Sequence, residues 1–349
     1  LLRQKNLDID VVIEGDGIAF AKAFAFKSSC RVRTHDKFGT AVIIFPDGFK
    51  VDVASARMEY YDRPATLPQV EDASIRHDLY RRDFTINTLT VALNPDNFGV
   101  VLDFYGGQRD LRDKSIRVLH NLSFIEDPTR LYRAVRFEQR LNFHIGRQTE
   151  RLMHSAVELK MVRKVGGVRI LNELKHILRE AQIIPAFERL NQFGLLQIID
   201  SRIVFDAEAK KIFKAAEQTI NWYELLYSGK PCRSWLVFLA CLLDRLPVGG
   251  LRKVSRWFSL RPEEHAVIVD ELPQVIRLQR NIARLVRRRH HPANSELYHW
   301  FAPFTIESLL YMMACIEQEP GRQWVSRYVT DLRREQVLID GHDLVRLGL

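Results

Sequence analysis

Two aspartates two residues apart, Asp8 and Asp10, lie in an otherwise apolar run, Leu7-Asp8-Ile9-Asp10-Val11-Val12, and a third, Asp52, lies in Lys50-Val51-Asp52-Val53. Both runs read as β-strands. Side chains at i and i+2 of a strand share a face, so Asp8 and Asp10 project together, roughly 6.6 Å apart along the backbone, while apolar neighbours anchor the other face. Carboxylates at that pitch can share a divalent ion or bracket two. Nucleotidyl and phosphoryl transfer uses such a cluster, with metals roughly 4 Å apart clamping the attacking and leaving oxygens. An Asp-x-Asp on a half-exposed strand is more often its solvated face, so the assignment rests on what else the chain carries.

Two further motifs bear on it. In Arg81-Arg82-Asp83-Phe84-Thr85-Ile86-Asn87 the arginines can grip phosphate oxygens. Asp83 can accept from a ribose hydroxyl, and Asn87 can both donate and accept. In Glu126-Asp127-Pro128-Thr129-Arg130-Leu131-Tyr132-Arg133-Ala134-Val135-Arg136, Asp127-Pro128 predicts a helix start with Asp at the cap and Pro at the first helical position. Arg130, Arg133 and Arg136 then follow one slowly drifting stripe. A capped helix with a solvated basic stripe would explain Asp127. It explains less well why Arg130 stands one turn away, able to work with that acid.

The elements that must position these residues divide the chain in two textures. Up to about Phe104 it reads as mixed α/β, with strands at Ile9–Ile13, Ala41–Phe45, Phe49–Val53, Leu89–Leu93 and Val100–Phe104 and a helix at Gly15–Lys27. After Tyr105-Gly106-Gly107 nearly everything has helical periodicity, with breaks at Gly166-Gly167, Pro231, Pro247-Val248-Gly249-Gly250, Pro292 and Pro320-Gly321. Leu236–Leu243 predicts a buried helix.

At 349 residues and 46% hydrophobic the chain can bury a substantial core, and a net charge of +9 suits an anionic partner. Cys30, Cys232, Cys241 and Cys315 have no C-x-x-C spacing, which argues against zinc or a disulfide framework and for a reducing compartment, the cytoplasm. No signal-peptide pattern and no membrane-spanning run is present. The chain starts without Met and stops abruptly, so it is expected to be a piece of something longer.

Taken together, these motifs resemble the class II tRNA nucleotidyltransferase and bacterial poly(A) polymerase family of the DNA polymerase β superfamily, most strongly from Leu7 to about Leu178. The resemblance implies an α/β head with a polymerase β-type mixed sheet and helices, residues 1–104, followed by an all-α neck (105–182), body (183–290) and tail (291–349). It makes Asp8 and Asp10 the metal-binding pair and Asp52, in Phe49-Lys50-Val51-Asp52-Val53-Ala54-Ser55-Ala56-Arg57, the third catalytic carboxylate, working with two Mg²⁺ ions. It implies that Arg82 and Asp83 sense the ribose 2′-hydroxyl and that Gly106-Gly107 with Asp110-Leu111 forms the head–neck hinge. Asp127 and Arg130 become an amino-acid template for the incoming base, and Asn87, Arg133 and Arg136 complete the expected nucleotide-binding set. Gly166-Gly167-Val168-Arg169-Ile170 with Glu173-Leu174 resembles the helix that braces the neck, although the family often carries an acid where Val168 stands. The family's triphosphate-gripping glycine pair and Val-Arg-Asp segment would fall just before Leu1.

The implied activity is addition of A, C or both from ATP and CTP to a tRNA 3′ end. Adenine and cytosine both present an amine donor beside a ring-nitrogen acceptor. A carboxylate accepts from the amine and a guanidinium donates to the ring nitrogen. Guanine and uracil invert both positions. Unpaired buried polar groups cost roughly 1–3 kcal/mol each, so two mismatches give about a hundredfold selectivity or more. Poly(A) tailing with the same active site, and a catalytically silent RNA-binding fragment, are the rival readings. RNA contact is expected from Arg287, Arg288 and Arg289, in a cluster with Arg284, His290 and His291, and from Arg327, which lies with Arg322, Arg333 and Arg334 near Trp324 and Tyr328. His342-Asp343 superficially suggests an HD phosphohydrolase but lacks supporting ligands, and a helix-start loop is expected there instead.

Overall fold

The computed structural model describes residues 8–36, 39–60, 69–227, 231–334 and 346. Leu7 and the His342-Asp343 pair lie outside them. The chain forms two compact units, Leu1–Val165 and Gly166–Leu349, a coarser division than the head, neck, body and tail expected above.

The first unit is built on a four-stranded sheet. Its strands are β1 (Asp10–Ile13), β2 (Arg31–His35), β3 (Thr40–Ile44) and β4 (Lys50–Ser55). Their order is β1-β4-β3-β2, with β1 parallel to β4 and the rest antiparallel. Alternation splits the sheet into two faces. Val11, Ile13, Val32, Ala41, Ile43, Val51 and Val53 join Ile18 and Ala21 of helix α1 (Gly17–Lys27) in one apolar cluster, which leaves Asp10 and Asp52 on the opposite face. Helix α1 starts hard against β4. A Cβ on Gly17 would stand 2.9 Å from the Ala54 carbonyl carbon and the Ser55 nitrogen, so only glycine allows that approach. Asp16 caps the helix by accepting from the Ala19 amide at 2.9 Å.

A hairpin of β5 (Arg57–Tyr60) and β6 (Gln69–Asp72) leads to helix α2 (Ile75–Tyr80). The strands expected at Leu89–Leu93 and Val100–Phe104 shrink to two-residue pairs, β7 (Thr90–Val91) and β8 (Val101–Leu102). Strands β2, β5 and β6 escape a periodicity reading because Arg, Thr, Glu, Gln and Asp fill positions where apolar residues would announce a strand. Helix α3 (Gly107–Arg112), the parallel pair β9 (Ser115–Ile116) and β10 (His144–Ile145), and helices α4 (Ser123–Glu126), α5 (Arg130–Leu141) and α6 (Arg147–Glu158) complete the unit. A Cβ on Gly107 would lie 2.5 Å from the Thr85 carbonyl oxygen, so α3 can dock on the Asp83–Asn87 segment only through glycine.

Among its described residues the second unit has no strand and is built on helices: α7 (Gly167–Ile177), α8 (Ile183–Gln192), α9 (Ala207–Leu225), α10 (Ser234–Leu243), α11 (Val248–Phe258), α12 (Pro262–His265), α13 (Leu272–Arg287), α14 (Asn294–Phe301), α15 (Ile306–Cys315) and α16 (Glu319–Thr330). As expected, α10 is the core helix: every residue from Trp235 to Leu243 is buried, and it packs against α9 and α15. Pro247 and Pro320 mark helix starts, but Gly249-Gly250 is not a break, because α11 runs through both glycines. No described helix is long and apolar enough to cross a membrane.

Asp244, just after α10, lies in this apolar surrounding. Burial pushes its carboxyl from 3.8 up to about 6, and the buried Tyr311 hydroxyl donates to its Oδ2 at 3.4 Å. The folded state therefore favours the protonated acid more than the unfolded chain does. That contribution is complete below the unfolded value of 3.8 and is lost as pH rises through about 6. Replacing Asp244 with Asn should raise the unfolding free energy at pH 8 by on the order of 2–3 kcal/mol and change it little at pH 4. Equilibrium denaturation at the two pH values measures this, and an equal effect at both would contradict it.

Candidate active site

The parallel register of β1 and β4 sets Asp10 directly beside Asp52. Asp8 stands just before β1, in a segment that still follows the sheet, since the Ile9 carbonyl accepts from the Asp52 amide at 2.9 Å. One carboxylate oxygen of each of Asp8, Asp10 and Asp52 lies within 4.8 Å of the other two, and all three residues are exposed. Asp10 is held above the ordinary carboxylate value, first by partial burial and then by the charges of Asp8 and Asp52, with Arg82 opposing the rise. Three carboxylate oxygens gathered this closely suit a hard divalent cation.

This triad forms one wall of an open cavity of about 1010 Å³. The facing wall carries Arg81, Arg82, Asp83, Asn87, Asp127, Arg130 and Arg133, with Phe137 and Arg140. Six of the seven residues expected to bind nucleotide are therefore brought together. The seventh, Arg136, is buried and is not among the lining residues; its guanidinium lies 5.4 Å from the Phe137 ring centre.

The arginine pair is not equally available. Arg81 Nε and Nη2 donate to Asp78 Oδ1 at 3.0 and 2.7 Å, and its Nη1 donates to Glu59 at 2.8 Å. Arg82 is held more loosely, 3.5 Å from Asp78 Oδ2 and 3.3 Å from the Asn87 carbonyl. Asp78, 1% exposed, thus anchors both. It is absent from the residues expected on sequence grounds, although its i,i+3 and i,i+4 spacing to the arginines is the signal that could have found it. Asp83 is fully engaged as well. Its Oδ1 accepts from the Phe84 amide and Asn87 Nδ2, both at 2.9 Å, and its Oδ2 accepts from Arg133 Nε and Nη2 at 2.8 and 2.6 Å. These four donors fill a carboxylate's capacity.

The Asp127 region differs in detail from the expected helix start. The α-helix begins at Arg130, and Asp127 caps the tight turn before it, its Oδ1 accepting from the Thr129 amide at 3.0 Å and the Thr129 hydroxyl at 2.6 Å. Arg130 is 5% exposed. Its Nη1 donates to the Ser123 hydroxyl and its Nη2 to the Arg81 carbonyl, both at 2.6 Å. Behind it, His120 is stacked on Tyr80 and is pushed down to about 4 by burial and by the Arg130 charge, so the imidazole stays neutral at physiological pH.

The family model described as "Poly A polymerase head domain" matches residues 1–117. An A-adding tRNA nucleotidyltransferase of Halalkalibacterium halodurans is 30% identical over 98% of this chain and 76% of its own length. The chain belongs to the tRNA nucleotidyltransferase family. An A-adding tRNA nucleotidyltransferase of Geobacter sulfurreducens is 45% identical over the whole chain, which spans only 40% of that relative's length. A solved CCA-adding enzyme in an apo form superposes with a TM-score of 0.88 at 32% identity, over 99% of this chain and 80% of that one.

The second unit carries the arginine clusters expected to contact RNA. Arg287, Arg288 and Arg289 lie at the end of α13 and just after it, and Arg327 lies in α16; the ring centre of Trp300, in α14, is 6.4 Å from His290 and 6.2 Å from Trp324.

The saturated Asp83–Arg133 pair has an energetic consequence. Both partners are mostly withdrawn from solvent, so the coupling energy between Asp83→Ala and Arg133→Ala should be about 1–3 kcal/mol rather than the fraction of a kcal/mol of a surface pair. A double-mutant cycle by denaturant unfolding measures it, and additive effects would contradict the mutual locking.

Proposed function

We propose that this chain is the catalytic and RNA-holding portion of a template-independent nucleotidyltransferase that adds A, C or both to a tRNA 3′ end, using ATP or CTP. The observation that carries the reading is a single cavity in which a carboxylate triad faces a guanidinium-rich wall bearing Asp127 and Arg130. The relatives named above, A-adding tRNA nucleotidyltransferases, support the choice of tRNA and of A. Four free cysteines agree with a cytoplasmic location.

Asp8, Asp10 and Asp52 would hold two Mg²⁺ ions, which supply countercharge to the triphosphate and lower the pKa of the attacking hydroxyl. The chain's own groups do the positioning. Arg82, the looser of the two arginines, turns towards phosphate oxygens. Asp83 reads a ribose hydroxyl when Arg133 gives up one of its two hydrogen bonds, which frees that guanidinium for phosphate as well. Asp127 accepts from the exocyclic amine of adenine or cytosine. Arg130 still has N–H donors beyond those used by Ser123 and the Arg81 carbonyl, and one of these meets the ring nitrogen. Arg287, Arg288, Arg289 and Arg327 neutralise tRNA phosphates.

The test is extension by the full-length protein of tRNA ending before CCA, after C and after CC, with ATP and CTP supplied separately. One to three added nucleotides are expected, dependent on Mg²⁺ and abolished by EDTA; long A tracts would favour poly(A) polymerase. Asp10→Ala should slow single-turnover addition by about 100-fold or more with little change in melting temperature, and wild-type rates would remove the triad from the chemistry. Arg130→Ala should lower kcat/KM for ATP and CTP by a comparable factor, since both ring nitrogens lose the same donor.

RNA affinity gives an independent check. Replacing Arg287, Arg288 and Arg289 together should flatten the dependence of log Kd on log salt by up to about 0.9 for each phosphate that is no longer neutralised. An unchanged slope would mean that the cluster is only solvated.

A further inference from the structure

Strand β2 reads Arg31-Val32-Arg33-Thr34-His35. Val32 joins the apolar cluster, so Arg31, Arg33 and His35 stand on the opposite face of the sheet, the face that carries Asp10 and Asp52, and all three are exposed. The register aligns them with β4: Arg31 lies across Ile44 from Lys50, Arg33 across Val42 from Asp52, and His35 across Thr40 from Ala54. Neighbouring strands are about 4.8 Å apart, so the row stands roughly 10 Å from β4, with only neutral side chains of β3 between. Its members follow one another at roughly 6.8 Å along the strand. The backbone of β2 pairs with β3, but the three side chains meet no hydrogen-bond or ion-pair partner among the described residues. Charge on an edge strand commonly keeps other sheets from pairing with it, and that role alone would leave substrates unaffected.

Nucleotide addition brings two anionic substrates to one triad, so they must approach it from different sides. The Arg82 charge acts on Asp10, which brings the guanidinium wall to the β1 side of the triad. The cavity floor runs the other way, from Asp52 over Val42 and Thr40 to His35. We propose that Arg31, Arg33 and His35 hold the phosphates of the RNA 3′ end and so bring its terminal hydroxyl to Asp52, while the nucleotide takes the facing wall. The proposal rests on the function proposed above. Guanidinium groups and an imidazole N–H all donate to phosphate oxygens, and none of these three must first break an ion pair to do so. A single strand can follow such a row because its backbone is free to extend along a positively charged surface.

The experiment uses the full-length protein and measures KM for tRNA ending in CC at saturating ATP, KM for ATP at saturating tRNA, and the Kd of that tRNA over a range of salt. Arg31→Gln combined with Arg33→Gln should raise the tRNA KM about 10-fold or more and leave the ATP KM within about twofold. It should also flatten the dependence of log Kd on log salt by up to about 0.7 for each single-strand phosphate no longer neutralised. Arg33→Lys keeps the charge and should stay within about threefold of the native tRNA KM, whereas Arg33→Glu should lose more than Arg33→Gln. The side chains are exposed, so melting temperatures should change little. An ATP KM that rises alone, or as much as the tRNA KM, would overturn the assignment to RNA. Unchanged constants in the Arg31 and Arg33 double variant would also overturn it and leave the row as edge protection. In both cases nucleotide addition by the native protein keeps the proposed function standing. If the native protein adds no nucleotide to a tRNA end, that function is wrong, and this assignment falls with it.

Discussion

The parallel pairing of β1 with β4 is the contact on which the rest of the first unit depends. It places Asp10 and Asp52 side by side. The register is held by burial on the other face, where Val11, Ile13, Val51 and Val53 pack with α1. A slip of one residue would send the aspartates into that core and the valines into the cavity, exchanging apolar burial for buried unpaired charge. The close seating of Gly17 on Ala54 and Ser55 clamps the same two strands from behind. Partial burial, and then the repulsion among these like charges, raise the proton affinity of Asp10. The sheet tolerates the repulsion because its other face packs with α1 in an apolar cluster.

The facing wall solves the opposite problem. Several arginines line one cavity, and unrestrained guanidinium groups would collapse onto the triad. Most are tied instead to a local acid or carbonyl: Arg81 to Asp78 and Glu59, Arg133 to Asp83, and Arg130 to Ser123 and the Arg81 carbonyl. These ties hold the donors in a fixed array before any nucleotide arrives, so little reorganisation is needed when charge develops on a phosphate. Arg82, with the longest contacts of the group, is the cation with most freedom to follow the substrate. Asp110 links this array to α3, accepting from the Thr85 hydroxyl at 2.5 Å and from Arg117 Nε at 2.8 Å. The Asp83–Asn87 segment is thereby braced from the side away from the cavity.

Sequence alone determined the elements that carry strong local signals. The strands bearing Asp10 and Asp52, the helix after β1, the buried helix α10 and the motif residues of the cavity were all legible, because period-two alternation, long apolar runs, capping residues and rare residue combinations are properties of neighbours in the chain. Strands β2, β5 and β6 were not legible, since polar residues in them are satisfied by partner strands far away in sequence. Only the tertiary structure decided which side chains share a space and which donors are already spent. It removed Arg136 from the cavity, showed Arg81 committed to Asp78 and Glu59, filled every acceptor position of Asp83, and turned Thr129 from an unremarked helix-start residue into the partner of Asp127. The physical reason is that a residue type sets what a side chain can donate or accept, while burial and distance, which depend on the whole packed chain, set where that capacity goes.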